Sequence, residues 1–259
     1  MDSYTIYQGI VTGSNPAFIF ENESEAIEKG MEAELLHPLC HGRDIGKYEV
    51  RSRERKILYI DNSTDMQKYP GAKKWLLKFK EALQNRREAK KGTIQWCGLQ
   101  WPRVKSELDI KEKILIQNTR NESLKTRIVA TLDDTGIYGS QGINFVIPKS
   151  KECNLRFLLA VLNSSLLNYL FATKFLNLAI KAEYVKQVKL PTATPEQQQT
   201  LAALADQMLA AHTQLASAKS DADKKTLQQR IAILDAQINA QVYALYGLSS
   251  EEIAVVEGA

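Results

Sequence analysis

The chain has 259 residues, 44% hydrophobic and 25% charged, which supplies a packed core and excludes disorder as a whole-chain answer. No run reaches the roughly 18 apolar residues that a membrane helix needs; the most apolar stretch, residues 155–171, is interrupted by Asn163, Ser164 and Ser165. Net charge is only +4, but it is unevenly spread: residues 194–259 hold four basic and eight acidic side chains, and residues 1–193 hold 30 and 22. A basic body with an acidic tail points to a polyanionic partner for the body alone.

In chain order, short runs rich in Ile, Val, Tyr and Phe predict strands over residues 4–12, 17–20, 56–60, 113–117, 127–132 and 143–147. Ser24 is placed to cap a short helix with Ile27 and Met31 on one face. Trp75, Leu76, Phe79 and Leu83 predict a helix over residues 72–88, and residues 154–171 predict a buried one. The pattern changes at Pro191–Pro195. Leu201, Leu204, Met208, Ala211, Leu215 and Ala218 alternate spacings of three and four, and Leu227, Ile231, Leu234, Ile238, Val242 and Leu245 do the same, with Thr226 as an opening residue. Between them lies polar Ser220–Asp223, and Gly247 follows as a C-cap. The expected fold is therefore α+β: a mixed, β-rich domain with packed helices over residues 1–193, then an antiparallel two-helix hairpin over 194–259 with a short C-terminal tail. Each seam is too short for a free-standing coiled coil, so the hairpin must lean on its own domain or on a partner.

Cys40, Cys97 and Cys153 are odd in number and at no motif spacing, and residues 1–4 carry no basic and apolar leader; reduced thiols in a cytoplasmic protein are expected. Catalytic patterns are weak. Asn15, Pro16, Ala17 and Phe18 approach the Asn-Pro-Pro-aromatic motif of amino-group DNA methyltransferases, with Ala in place of the second Pro. No glycine-rich turn after an upstream strand is available to bind S-adenosylmethionine. The acid-x-Lys spacing of metal nucleases occurs at Asp109, Glu54, Glu88 and Asp223 alike, which shows how little it discriminates. His37, Cys40 and His41 lie in one short segment with Pro38 and lack a fourth ligand for zinc; a turn with incidental His and Cys is expected there. Gly9 and Gly13 match neither a dinucleotide fingerprint nor a P-loop.

The order of segments is more informative. Residues 9–18 read GIVTGSNPAF, residues 42–48 read GRDIGKY, and Tyr69-Pro70 opens a helix that ends at Arg86. Trp96, Leu99 and Trp101–Arg103 follow, then Lys113-Ile114, the LLAVLNSSL run of residues 158–166, and VKLP at 188–191. In this order the chain resembles the TaqI-like C-terminal specificity domain of adenine-specific methyltransferases and fused restriction–modification enzymes. PEQQ at 195–198 is similar to the opening of the spacer helix in type I specificity subunits. The resemblance implies sequence-specific recognition of double-stranded DNA without chemistry in this chain. It implies a methyltransferase and/or endonuclease domain or subunit as partner, with S-adenosylmethionine bound there, no cofactor here, no metal and no membrane. It leaves a homodimer through the hairpin open. Two other readings are a segment of a bifunctional methyltransferase–nuclease and a coiled-coil interaction module.

Base reading needs donors and acceptors on loops and strand ends. The candidates are Arg43, Lys47, Arg103, Asn118, Arg120, Asn121 and Tyr138, the last expected to be exposed beside Gly136. Lys73, Lys74, Arg86, Arg87, Lys90 and Lys91 are candidates for phosphate contacts. Thr12 and Asn15 are expected to shape the loop after the first strand. Each has a plainer reading: Trp75 and Phe79 as core, the charges as a solvated face, and Arg86 as one half of an ion pair.

Overall fold

The computed structural model describes residues 1–118, 126–175 and 179–258. The elements in chain order are β1 (Tyr4–Gln8), α1 (Asn15–Phe18), β2 (Ile19–Phe20), α2 (Glu23–Glu28), β3 (Leu36–Cys40), β4 (Ile45–Gly46), β5 (Glu49–Val50), β6 (Lys56–Leu58), α3 (Pro70–Leu77), α4 (Lys80–Gln84), α5 (Arg87–Lys90) and α6 (Lys105–Leu108). Then come β7 (Lys113–Gln117), β8 (Ala130–Asp133), β9 (Tyr138–Gly139), β10 (Ile143–Pro148), α7 (Leu155–Asn163), α8 (Ser165–Lys174), α9 (Ala182–Lys186), α10 (Pro195–Ser217), α11 (Asp221–Tyr246) and α12 (Ser250–Glu257). The α+β class expected from the sequence is what is found.

One sheet forms the middle layer. Its order is β1-β10-β7-β8, and every pairing is antiparallel. Successive side chains of a strand point to opposite faces, and here both faces are buried. Ile114, Ile116 and Val146 enter one core with α7, α8 and the hairpin. Leu115, Ile143 and Phe145 enter a second core, shared with the sheet β2-β6-β3-β9. In that second sheet β9 pairs with β3 in parallel. Burial on both faces explains why β7 and β10 read as continuous apolar runs rather than alternating ones.

Several elements differ from expectation. Residues 72–88 fall in α3, α4 and α5 rather than one helix; Ala72 and Leu76 are buried from α3, Leu83 from α4, and no residue of α5 is buried. Residues 15–18 are helical, with Pro16 in the first turn where its missing N–H costs nothing. Asn22, not Ser24, caps α2, and Ser220, not Thr226, caps α11. The apolar stretch after Asn154 breaks at Ser164, whose hydroxyl caps α8, and α7 and α8 meet at 60°. Asn163 fixes that break, exchanging two hydrogen bonds of 3.0 and 2.9 Å with the backbone of Ala130 on β8. Among the described residues no single helix is long and apolar enough to cross a membrane.

The hairpin leans on the body. Thr194 and Gln197 form a capping box at the start of α10, and Gly247 closes α11 in the left-handed region at φ 68°. Leu201, Met208, Ala211, Leu234, Ile238 and Val242 join the α7 core, whereas Leu215 and Leu227, nearer the turn, are half-buried. Polar contacts accompany the packing, among them Lys47 to Asp235 at 3.4 Å, His212 to Glu49 at 3.6 Å and Arg156 to Asp206 at 2.6 Å. Residues 250–257, expected as a tail, form α12.

Lys113 gives the fold a pH signature. It is fully buried on β7, and its ammonium donates to the carbonyls of Leu108 (2.6 Å) and Ile110 (2.9 Å). Burial pulls its pKa down to about 8, while an unfolded lysine titrates near 10.4. The unfolded chain then binds more protons between these values, so the penalty of burying the charge fades as pH rises through about 8. Urea unfolding of the parent and Lys113→Met at pH 8 and 9.5 should show the parent gaining about 1.5 kcal/mol relative to the variant. Equal slopes would mean that Lys113 keeps an ordinary pKa.

Candidate nucleic-acid interface

A cleft of about 960 Å³ opens where the loops of the two sheets meet. Three segments build it. The first is the loop after β1. Gly13 takes φ +74° there, Thr12 Oγ1 donates to Asn15 Oδ1 at 2.7 Å, and the Ser14 N–H donates back to Thr12 Oγ1 at 3.2 Å. Thr12 and Asn15 thus shape the loop and line the cleft.

The second segment is the tight turn Gly42–Asp44 after β3. Asp44 is buried; its carboxylate accepts from the His41 N–H (2.7 Å) and from Arg55 Nη1 (2.7 Å). That leaves Arg43 pointing outward, its side chain 72% exposed and 4.0 Å from the already engaged Asp44. The third segment is the Ser140–Gly142 turn before β10. The Gln141 carbonyl accepts from Gln8 Nε2 (2.8 Å) and Asn118 Nδ2 (3.3 Å), and the Gly142 carbonyl accepts from the Asn118 N–H (2.8 Å). The second and third turns touch so closely that a Cβ on Gly42 would meet the Gly142 oxygen at 2.7 Å. His41 Nδ1 lies 2.9 Å from Ser140 Oγ, and burial together with Arg55 lowers its pKa, so the imidazole is neutral near pH 7.

Arg86 supports this assembly from beneath. It is 9% exposed and binds four carbonyls: Leu83 through Nε (3.0 Å), Thr12 through Nη1 (3.0 Å), and Trp96 and Gly98 through Nη2 (2.8 Å each). It is therefore not free for phosphate, contrary to expectation, and among the described residues no carboxylate forms an ion pair with it. Its neighbour Arg87 is 76% exposed on the side chain, and Lys73, Lys74, Lys90 and Lys91 are also exposed. Helix α5, carrying Arg87 and Lys90, borders the cleft, because Glu88 Oε2 accepts from Nε2 of the lining residue Gln100 at 3.0 Å.

The base-reading candidates separate. Arg43 lies in the cleft. Lys47 is turned to Asp235 on the hairpin. Asn118 is buried and spends its amide on the Gln141 carbonyl. Arg103 Nε is committed to the Gly9 carbonyl at 3.0 Å. Tyr138, expected to be exposed, is 1% exposed: its ring stacks on His37 at 4.5 Å and its hydroxyl donates to Asp109. The parallel β3/β9 pairing draws it inward. Arg120 and Asn121 lie outside the described residues. Sequence reasoning missed Gln100, Gln117, Gln141 and His41 as cleft residues. The signal available for Gln141 was its place between Gly139 and Gly142 at a strand junction; for the others only the fold brings them together.

Gly9 and Gly13 serve packing within the chain. A Cβ on Gly9 would strike the Ser140 oxygen at 2.3 Å, and one on Gly13 would meet the Gln100 and Arg86 side chains at 2.7 and 2.8 Å. Both close approaches are thus filled by the protein itself. The segment around His37 is strand β3 rather than a turn, and Cys40 within it is buried. Among the described residues no three His, Cys, Asp or Glu side chains group to hold a metal.

Comparison with known proteins accords with this architecture. The profile of the TaqI-like C-terminal specificity domain matches residues 37–191, more than half of the chain. The chain is 27% identical over 259 residues to the type II methyltransferase M.PaeR7I of Pseudomonas aeruginosa, covering 96% of this chain and 39% of that protein. It is 27% identical over 207 residues to the type II methyltransferase M.MjaIV of Methanocaldococcus jannaschii, covering 73% and 65%. It shares the fold of part of the type IIL restriction–modification enzyme MmeI, solved in complex with DNA, with a TM-score of 0.70 and 13% identity over 98% of this chain and 35% of that one. The chain thus spans about two-fifths of the first of these methyltransferases and two-thirds of the second. The family profile, the cleft-bearing double sheet and the common fold converge: the chain belongs to the TaqI-like C-terminal specificity domain family.

Proposed function

We propose that this chain recognises a duplex DNA sequence for a restriction–modification system and directs a methyltransferase and/or endonuclease to it. The observation that carries this reading is the polar cleft, where Arg43, Gln141 and Asn15 stand on three interlocked turns beside α5 with its exposed Arg87 and Lys90. Arg and Gln or Asn side chains match the donor–acceptor patterns of guanine and adenine in the major groove. Lys73, Lys74, Arg87, Lys90 and Lys91 grip phosphates, which sets register without reading sequence. Similarity to type II methyltransferases supports the system and the partner. In this reading the chain performs no chemistry, S-adenosylmethionine binds in the methyltransferase domain, and the hairpin docks that domain or a second copy of the chain.

The test is selection from a randomised duplex pool at several salt concentrations, with sequencing of the retained DNA. An enriched motif whose affinity falls steeply with salt is expected. Salt-sensitive retention without a motif would remove base reading from this chain and leave phosphate contact only. No retention at low salt would overturn the proposal in favour of a protein-interaction role for the hairpin.

A further inference from the structure

Beside the cleft stands an exposed aromatic that the core does not use. Trp101 is 45% exposed and Val104 is 56% exposed, whereas Trp75 and Trp96 are half-buried. The Trp101 backbone is zipped to Val11 of the cleft loop by two hydrogen bonds, of 2.9 and 3.1 Å. The indole therefore has a rigid base at the cleft rim.

Next to it Arg103 is held in the left-handed region at φ 67°, where non-glycine residues are uncommon. Its carbonyl accepts from the Tyr59 hydroxyl (3.3 Å) and its Nε donates to the Gly9 carbonyl (3.0 Å). The guanidinium carbon sits 5.7 Å from the Trp101 ring centre, within cation–π range. A strained backbone costs stability wherever it occurs, and such strain concentrates at functional sites. Here it places a cation against an indole that faces water, which contributes little to the core.

A flat apolar ring with a cation over it, on the rim of a polar cleft, has the chemistry to pack on a nucleotide and meet its phosphate. We infer that Trp101, braced by Arg103, is a DNA contact whose ring lies against the duplex next to the bases read in the cleft. This rests on the reading of the cleft as the DNA face. It changes the role of Arg103 from a base reader to a positioning residue.

The experiment measures binding of a labelled duplex bearing the selected motif, tryptophan fluorescence during the titration, and the urea midpoint of each variant. Trp101→Ala is expected to weaken binding about tenfold, the scale of one aromatic stacking contact, with Trp101→Phe close to the parent. Fluorescence quenching by DNA should be largely lost in Trp101→Phe. Arg103→Gly should weaken binding as Trp101→Ala does while its urea midpoint stays near the parent's, because glycine accepts positive φ and so offsets the lost bond to the Gly9 carbonyl. If the parent binds and all three variants bind equally well, with quenching intact in Trp101→Phe, the inference is overturned and the cleft reading stands. If Arg103→Gly matches the parent while Trp101→Ala does not, the bracing role falls and the Trp101 contact stands. A parent that binds no duplex overturns both.

Discussion

Replacing Arg86 by alanine is expected to unfold the chain at markedly lower denaturant, with a loss of about 3–5 kcal/mol, because it strips donors from four carbonyls, of which those of Leu83, Thr12 and Gly98 are held in buried hydrogen bonds. For a chain of this size that is a fall on the order of 10 °C in Tm. The four carbonyls come from three segments: Leu83 on α4, Thr12 in the cleft loop, and Trp96 and Gly98 in the loop after α5. A planar guanidinium with N–H groups fanned in one plane reaches them all; one ammonium cannot, so Arg86→Lys should recover little. Arg87→Ala, one residue along and exposed, should unfold within about 0.5 kcal/mol of the parent. Loss of DNA binding in an Arg86 variant would therefore report collapse of the Thr12–Asn15 loop, not a missing phosphate contact. The claim fails if Arg86→Ala keeps the parent's urea midpoint while binding is abolished, since that is how an exposed DNA contact behaves.

Arg86 and Arg87 also show where the sequence stops being informative. Both are basic, both lie in the same charge-rich stretch, and no local pattern separates them. One turns inward because the Thr12 loop and the Trp96–Gly98 segment, together with Leu83, offer it carbonyls. The regular elements were legible for the opposite reason. Strands β7 and β10 announce themselves by apolar continuity, and α10 and α11 by three-and-four spacing with a capping box and a left-handed Gly247. Those signals act within one element. The division of residues 70–90 into three helices, the break at Ser164 and the inward turn of Tyr138 depend on partners far away in the chain: Asn163 on Ala130, and β9 alongside β3. The cleft belongs to this second class. Thr12, Asn15 and Arg43 were found because they sit in motifs; Gln100, Gln117 and Gln141 became neighbours only through the meeting of the two sheets.

The same geometry decides which substitutions should change the sequence that is read. Gln141 has its backbone carbonyl fixed by Gln8 and Asn118 while its side chain is exposed, and Arg43 stands on a turn locked by Asp44 and Arg55. Side chains held on rigid backbone lose little freedom on binding, which favours discrimination. Arg43→Ala and Gln141→Ala are each expected to cost about 1–3 kcal/mol on the selected duplex and to relax the retained motif at one position. Binding to a scrambled duplex should stay near the parent's, because neither side chain is assigned to phosphate. Lys90→Ala should behave oppositely, weakening both duplexes alike and lowering the salt slope by about one. Gly42→Ala, which drives a methyl into the Gly142 oxygen, should damage recognition at several positions at once because it parts the two turns that carry these side chains. Competition binding with the two duplexes separates these outcomes. If Arg43→Ala and Gln141→Ala leave the preference for the selected duplex unchanged, base reading lies outside this cleft.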